Sequence, residues 1–165
     1  MTMRTVFGSL EQFEKGGIQL IRDDPRNYAF SNVFEVASRA RPWDKTAVAR
    51  NMEYVLEAVR AEGRSPWYTA AHDEFALVMD GMVEVELRSL EPADRAAPGT
   101  RGSTLLAAEP KGARMGRIRA RRGHLSLLPA GAAYQLHAPE PSVLIIQTLL
   151  GEHTLERWAE ICITR

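Results

Sequence analysis

Cysteine is nearly absent. Cys162 is the only one in 165 residues, which excludes an intramolecular disulfide and a thiolate metal centre. A charge surplus is absent as well, because 21 Lys and Arg balance 21 Asp and Glu. Without excess cations to displace counterions from phosphate, sequence-independent nucleic-acid binding is disfavoured, and so is adsorption on anionic membranes. Long apolar runs are missing too: the longest, Val143 to Leu150, is broken by Gln147 and Thr148, far short of the roughly 20 residues of a membrane span. The first twenty residues carry Glu11 and Glu14 where a signal peptide would need an apolar core, so the chain reads as cytoplasmic. Histidine is scarce, with only His72, His124, His137 and His153.

What is present is the composition of an ordinary globular chain, 45% apolar and 25% charged. At this length a single domain is expected, burying roughly 70% of the surface its unfolded chain exposes. Alternating or β-branched segments predict strands at Ile18 to Ile21, Tyr28 to Ala37, Tyr54 to Arg60, Glu74 to Met79, Met82 to Leu87, Met115 to Ala120, Leu125 to Leu128 and Val143 to Leu149. So many strands, punctuated by Gly and Pro, indicate a sandwich or barrel. In Met82 to Leu87 the alternation puts Met82, Glu84 and Glu86 on a wet face and Val83, Val85 and Leu87 on a buried one. Lys45 to Arg60 also fits a helical period, and a strand is preferred for its second half. Short helices are expected at Gly8 to Lys15, with Ser9 near its start, and at Thr154 to Ile161, with Thr154 as its cap. The Ala/Pro/Gly-rich stretch at about 89–114 reads as a long surface loop.

Two motifs stand out. The first is Glu74-Phe-Ala-Leu-Val-Met-Asp-Gly81, in which an acidic residue precedes by six intervening residues a glycine that opens an alternating strand. The loop Gly63 to Asp73 leads into it. The second, Gly123-His-Leu-Ser-Leu-Leu-Pro-Ala-Gly131, runs glycine, five residues, proline, one residue, glycine. The glycines suit hairpin turns that need φ > 0, and the proline suits a strand end. Together the motifs resemble the two signatures of the cupin superfamily. The resemblance implies an all-β fold, a cupin-type antiparallel barrel or jelly roll with short terminal helices, formed by residues 1–165 as one domain.

Metal-binding cupins place two histidines and a glutamate in the first motif and one histidine in the second. Counting from Glu74, the histidine positions fall on Trp67 and Thr69 or on Tyr68 and Ala70, and counting from Gly131 the third falls on Tyr134. One carboxylate and a neutral phenol do not make the three-ligand minimum of a divalent site, so no metal is expected in this chain. His72 and Glu74 remain as a two-ligand remnant at a degenerate metal position. His137 has the opposite strand parity to Tyr134 and is expected to point outward.

A narrower resemblance runs through Asn32 to Ser38, Asn51 to Glu57, Ser65 to Tyr68, Ala71 to Gly81, Arg114 to Ile118, Leu128 to Tyr134 and Glu156 to Ile161. These blocks are similar to the small subunit of two-component hydroquinone 1,2-dioxygenases. That likeness implies a larger cupin-like partner holding Fe(II), an α2β2 assembly, an aromatic substrate, and ring cleavage to 4-hydroxymuconic semialdehyde. It makes Trp67, Tyr68 and Tyr134 candidates for a substrate-pocket wall or gate, and the structural alternative is that Tyr134 bonds Glu74 across the barrel. Arg117, Arg119 and Arg121 share a strand face and form a candidate interface stripe. Two other readings stay open: a self-sufficient metal-dependent cupin using His72, Glu74 and a third ligand, and a non-catalytic cupin caging a small aromatic molecule.

Overall fold

The computed structural model describes residues 7–14, 21–23 and 32–161. Among these residues one ten-stranded sheet curls on itself. Its strands are β1 (Lys45–Asn51), β2 (Tyr54–Arg64), β3 (Tyr68–Ala70), β4 (Glu74–Asp80), β5 (Met82–Arg88), β6 (Ser103–Leu105), β7 (Arg114–Arg121), β8 (Leu125–Leu128), β9 (Ala133–Leu149) and β10 (Thr154–Leu155). Two short helices, α1 (Val33–Arg39) and α2 (Trp158–Ile161), accompany them. No helix among the described residues is long and apolar enough to cross a membrane.

The long strand β9 organises the barrel. Its first part pairs with β3 and β5, and its last part lies between β2 and β4, so one chain segment runs through both walls. Alternation along it turns Tyr134, Leu136, Ala138, Leu144 and Ile146 into the main core, where they meet Val59, Tyr68, Val78, Val83, Val85 and Leu128. Val83 and Val85 are buried as the β5 alternation requires, while Glu84 and Glu86 stay on the wet side.

The motif glycines do what their positions demand. Gly81 has φ +76°, and a Cβ there would fall 2.2 Å from Ser142 Oγ, so both the turn and the neighbouring strand exclude a side chain. Gly131, closing the second motif, has φ +72°.

Several expectations are corrected. Val33–Arg39 is a helix rather than part of a strand from Tyr28: the Asn32 side chain accepts from Phe34 N at 2.9 Å, Arg39 pairs with Glu35 one turn away at 2.9 Å, and Phe34 and Ala37 pack on Val143. Residues 28–31 lie outside the described residues, as do Ile18 to Leu20 of another expected strand. Residues 8–14 hold a bend at residues 10–12 instead of a helix, because Ser9 Oγ accepts from Gln12 N at 3.0 Å in a turn that does not propagate. Thr154 belongs to β10, which adds to β1 in parallel, and only the single turn Trp158–Ile161 is helical. Both halves of Lys45 to Arg60 are strands. The stretch at 89–114 is not wholly loop: it holds a 3-10 turn at Pro92–Asp94 and the strand β6, which pairs with β3.

Candidate functional site

Where the first motif of a metal-binding cupin puts its ligands, this barrel carries a hydrogen-bonded plug. Tyr68 sits in the main core and Trp67 does not, so of the two possible registers the inward positions are Tyr68 and Ala70. Tyr68 is opposite Tyr134 in the β3–β9 ladder, and their rings stack with centroids 5.6 Å apart. Glu74 is fully buried, and each of its oxygens accepts a hydroxyl: Tyr134 donates to Oε2 at 2.6 Å and Thr148 donates to Oε1 at 2.6 Å. The bond from Tyr134 to Glu74 is the structural alternative that the motif spacing left open. Burial, reinforced by the Glu74 charge, raises the Tyr134 phenol well above its ordinary range. Tyr134 is therefore a neutral donor at neutral pH.

His72 does not join Glu74 around a common space. Its Nε2 lies 2.9 Å from Thr148 Oγ1, so the threonine stands between histidine and carboxylate. Among the described residues, no group of three His, Cys, Asp or Glu side chains converges. The donor chemistry agrees, since both Glu74 oxygens are engaged and the remaining inward positions offer phenols and a methyl group. The residues at this position do not fit a divalent metal.

Beside Tyr68 lies Lys45, a charged residue only 3% exposed. Its ammonium donates to Ser103 Oγ and sits 4.1 Å from the centroid of the Tyr68 ring. Glu57 is also buried. One of its oxygens accepts from Thr154 Oγ1 at 2.6 Å, while Oε2 has no hydrogen-bond partner. Burial pushes this carboxyl up to about 7, against the opposing pull of Lys45. Burial likewise raises the Tyr68 phenol to about 12. Lys45 and Tyr68 line an opening of about 220 Å³ with Trp43, Asp44, His153 and Leu155.

The other sequence candidates lie elsewhere. Trp67 faces away from the Tyr68–Tyr134 stack and packs with Leu90, Leu106 and Ala133, with the Arg88 guanidinium 5.1 Å from its ring centroid. Arg117 and Arg119 sit on the outer face of β7 and both bond Glu84 across the β5–β7 ladder, the latter at 2.9 Å. These two arginines hold the Glu84 carboxyl down at about 2. The expected basic stripe is thus matched by an acidic row, since Arg114 also reaches Glu86 at 3.3 Å, while Arg121 is exposed opposite Met82. His137 points outward, 3.6 Å from Glu84.

Over 99% of its length this chain matches 99% of a chain in the crystal structure of hydroquinone 1,2-dioxygenase from Sphingomonas sp. TTNP3 with 4-hydroxybenzoate bound, with 49% identity and a TM-score of 0.94. It matches 98% of a chain of hydroquinone 1,2-dioxygenase PnpCD in complex with Cd2+ and 4-hydroxybenzonitrile, at 48% identity and TM-score 0.91. The chain belongs to the hydroquinone 1,2-dioxygenase family. A cupin-2 domain protein of Shewanella frigidimarina shares the fold at 18% identity over 70% of this chain and 89% of that chain, with TM-score 0.51. PnpCD in complex with Fe3+ supplies a second likeness of fold, to a different and longer chain: 88% of this chain matches only 41% of that one, at 12% identity and TM-score 0.59. No protein-family model and no curated relative matches. In this member of the hydroquinone 1,2-dioxygenase family, the residues that sequence reasoning missed are Lys45, Glu57, Ser103 and Thr148. Thr148 had a usable signal, because it shares strand parity with the inward Leu144 and Ile146 and a polar group there needs a partner.

Proposed function

We propose that the chain, as one cupin domain, is the non-metal subunit of a ring-cleaving hydroquinone 1,2-dioxygenase. The overall reaction adds both atoms of O2 to hydroquinone and opens the ring beside a hydroxyl, giving 4-hydroxymuconic semialdehyde. Fe(II) supplies the oxygen chemistry and belongs, in this reading, to a larger cupin-like partner in an α2β2 assembly. The observation that carries the reading is Glu74, whose two oxygens are both taken by Tyr134 and Thr148 at the position where a metal-binding barrel keeps its carboxylate ligand. The longer PnpCD chain, part of which has the same fold, supports a partner of that kind.

This chain's own residues then contribute structure rather than reaction steps. Tyr68 and Tyr134 fill the barrel, and Trp67, the one of the three aromatic candidates outside the main core, is assigned to the wall of the partner's substrate pocket. The reading places the protein in the cytoplasm. Its test is reconstitution: the purified chain alone shows no O2 uptake with hydroquinone, and adding the longer chain restores ring cleavage. Hydroquinone cleavage by the isolated chain would overturn it in favour of a self-sufficient cupin.

A further inference from the structure

Two openings adjoin on the outer face of the barrel, where β2, β9 and β5 run together. One, of about 160 Å³, is lined by Glu84, Arg114, Arg117 and His137, and the other, of about 330 Å³, by Trp67, Arg88 and Glu109. Arg64, Glu86 and Gln135 line both, which joins them into one groove. The registers explain the placement, since Arg64 and Glu84 each lie opposite His137 and Glu86 lies opposite Gln135. Gln135 and His137 alternate with Tyr134 and Leu136, which point into the core.

The arginines of the groove are not equivalent. Arg88 is engaged at every nitrogen: Nε donates to Glu86 at 2.9 Å, Nη1 donates to the Pro110 carbonyl at 3.0 Å, and Nη2 lies 2.9 Å from Glu109. Arg117 is tied to Glu84 and Arg114 to Glu86. Arg64 is exposed, and its guanidinium has no acceptor among the described residues. Opposite it on β9, the Nδ1 atom of His137 is buried and also lacks a hydrogen-bond partner. Four guanidiniums and three carboxylates line the groove, so one positive charge is left over. That balance suits a monoanion better than a doubly charged phosphate.

We propose that the groove binds a small organic carboxylate at Arg64, with Gln135 and His137 meeting a hydroxyl or carbonyl on the same molecule. A guanidinium holds a carboxylate through two parallel N–H bonds, and Arg64 can do so without breaking an existing pair. Gln135 donates to the Ser65 carbonyl at 2.9 Å, which leaves its oxygen to accept from a hydroxyl. The His137 nitrogen takes either role according to its tautomer. The proposed reaction supplies such a molecule: it turns a neutral diol into a ring-opened acid, ionised at neutral pH, that carries a hydroxyl and an aldehyde. Trp67, assigned above to the wall of the partner's substrate pocket, also lines the groove, so the site adjoins the place where that acid forms. This link to the product rests on the subunit reading, whereas the carboxylate chemistry of the groove stands without it.

The test titrates the purified full-length chain with sorbate, a stable six-carbon monocarboxylate, and separately with its uncharged alcohol, with hydroquinone and with inorganic phosphate. In NMR spectra sorbate should move the indole signal of Trp67 and leave those of Trp43 and Trp158, and the two neutral compounds should move none. Arg64→Gln should weaken sorbate about 10-fold, and the exposed-arginine control Arg121→Gln should not. Circular dichroism establishes that both variants fold. No sorbate binding by the wild type, wild-type affinity in folded Arg64→Gln, or phosphate binding as tight as that of sorbate would each overturn the site. So would loss of sorbate binding when the longer chain is added, because Arg64 would then be taken by that chain. Failure of the two chains to cleave hydroquinone together, with sorbate bound as expected, would overturn the subunit reading alone.

Discussion

Glu74 and Glu84 lie on consecutive strands, β4 and β5, and the protein satisfies their carboxylates in opposite ways. Glu74 is fully buried and accepts from two neutral hydroxyls, on Tyr134 and Thr148. Glu84 is on the outer face and is held by two guanidiniums, on Arg117 and Arg119. The pairing looks stronger outside, yet solvent and salt screen it, whereas a hydroxyl stranded in the interior has no water to replace its lost acceptor. The difference predicts that the buried network of carboxylate and hydroxyls carries the stability and the exposed ion pairs mostly cover the surface.

The sharpest way to break that contrast is Glu74→Ala. It strands two hydroxyls and opens a cavity, and urea denaturation should show a loss of roughly 3 to 5 kcal/mol. Glu57→Gln comes next and reads the interior through pH. The folded Glu57 carboxyl titrates at about 7, above its ordinary value of 4.5, so the folded state binds the extra proton between these values. Stability from that proton is full below about 4.5 and is lost as pH rises from there through 7, a change on the order of 3 kcal/mol. Glu57→Gln should therefore flatten the fall in denaturation midpoint between about pH 5 and 8, and an unchanged slope would remove Glu57 as its source. Tyr134→Phe leaves one Glu74 oxygen without its donor and should cost roughly 1 to 3 kcal/mol. Smallest is Glu84→Gln, for which thermal midpoints in low and high salt should match wild type.

Much of the barrel was legible because its signals are local. The alternation of Met82 to Leu87 and the glycines at 81 and 131 each follow from one residue's geometry, and both are found. The Tyr134–Glu74 bond could be foreseen because two motifs fixed both ends of it. Helix α1 was not legible, since Val33, Phe34 and Val36 favour a strand and only the Asn32 cap and packing on Val143 decide otherwise. Strand β6 has three residues, too few to show a period, yet it delivers Ser103 to Lys45. Lys45 and Glu57 were hidden for a related reason: a charged residue inside a strand reads as solvent-facing until the fold shows which wall it lines.

The central claim is that hydroxyls have replaced metal ligands in this barrel, and metal binding tests it most directly. The purified chain is dialysed anaerobically to equilibrium with Fe(II), and iron is counted per chain. The account predicts iron at the background level of the Glu74→Gln variant, and one tightly held Fe(II) per wild-type chain, lost in that variant, would contradict it.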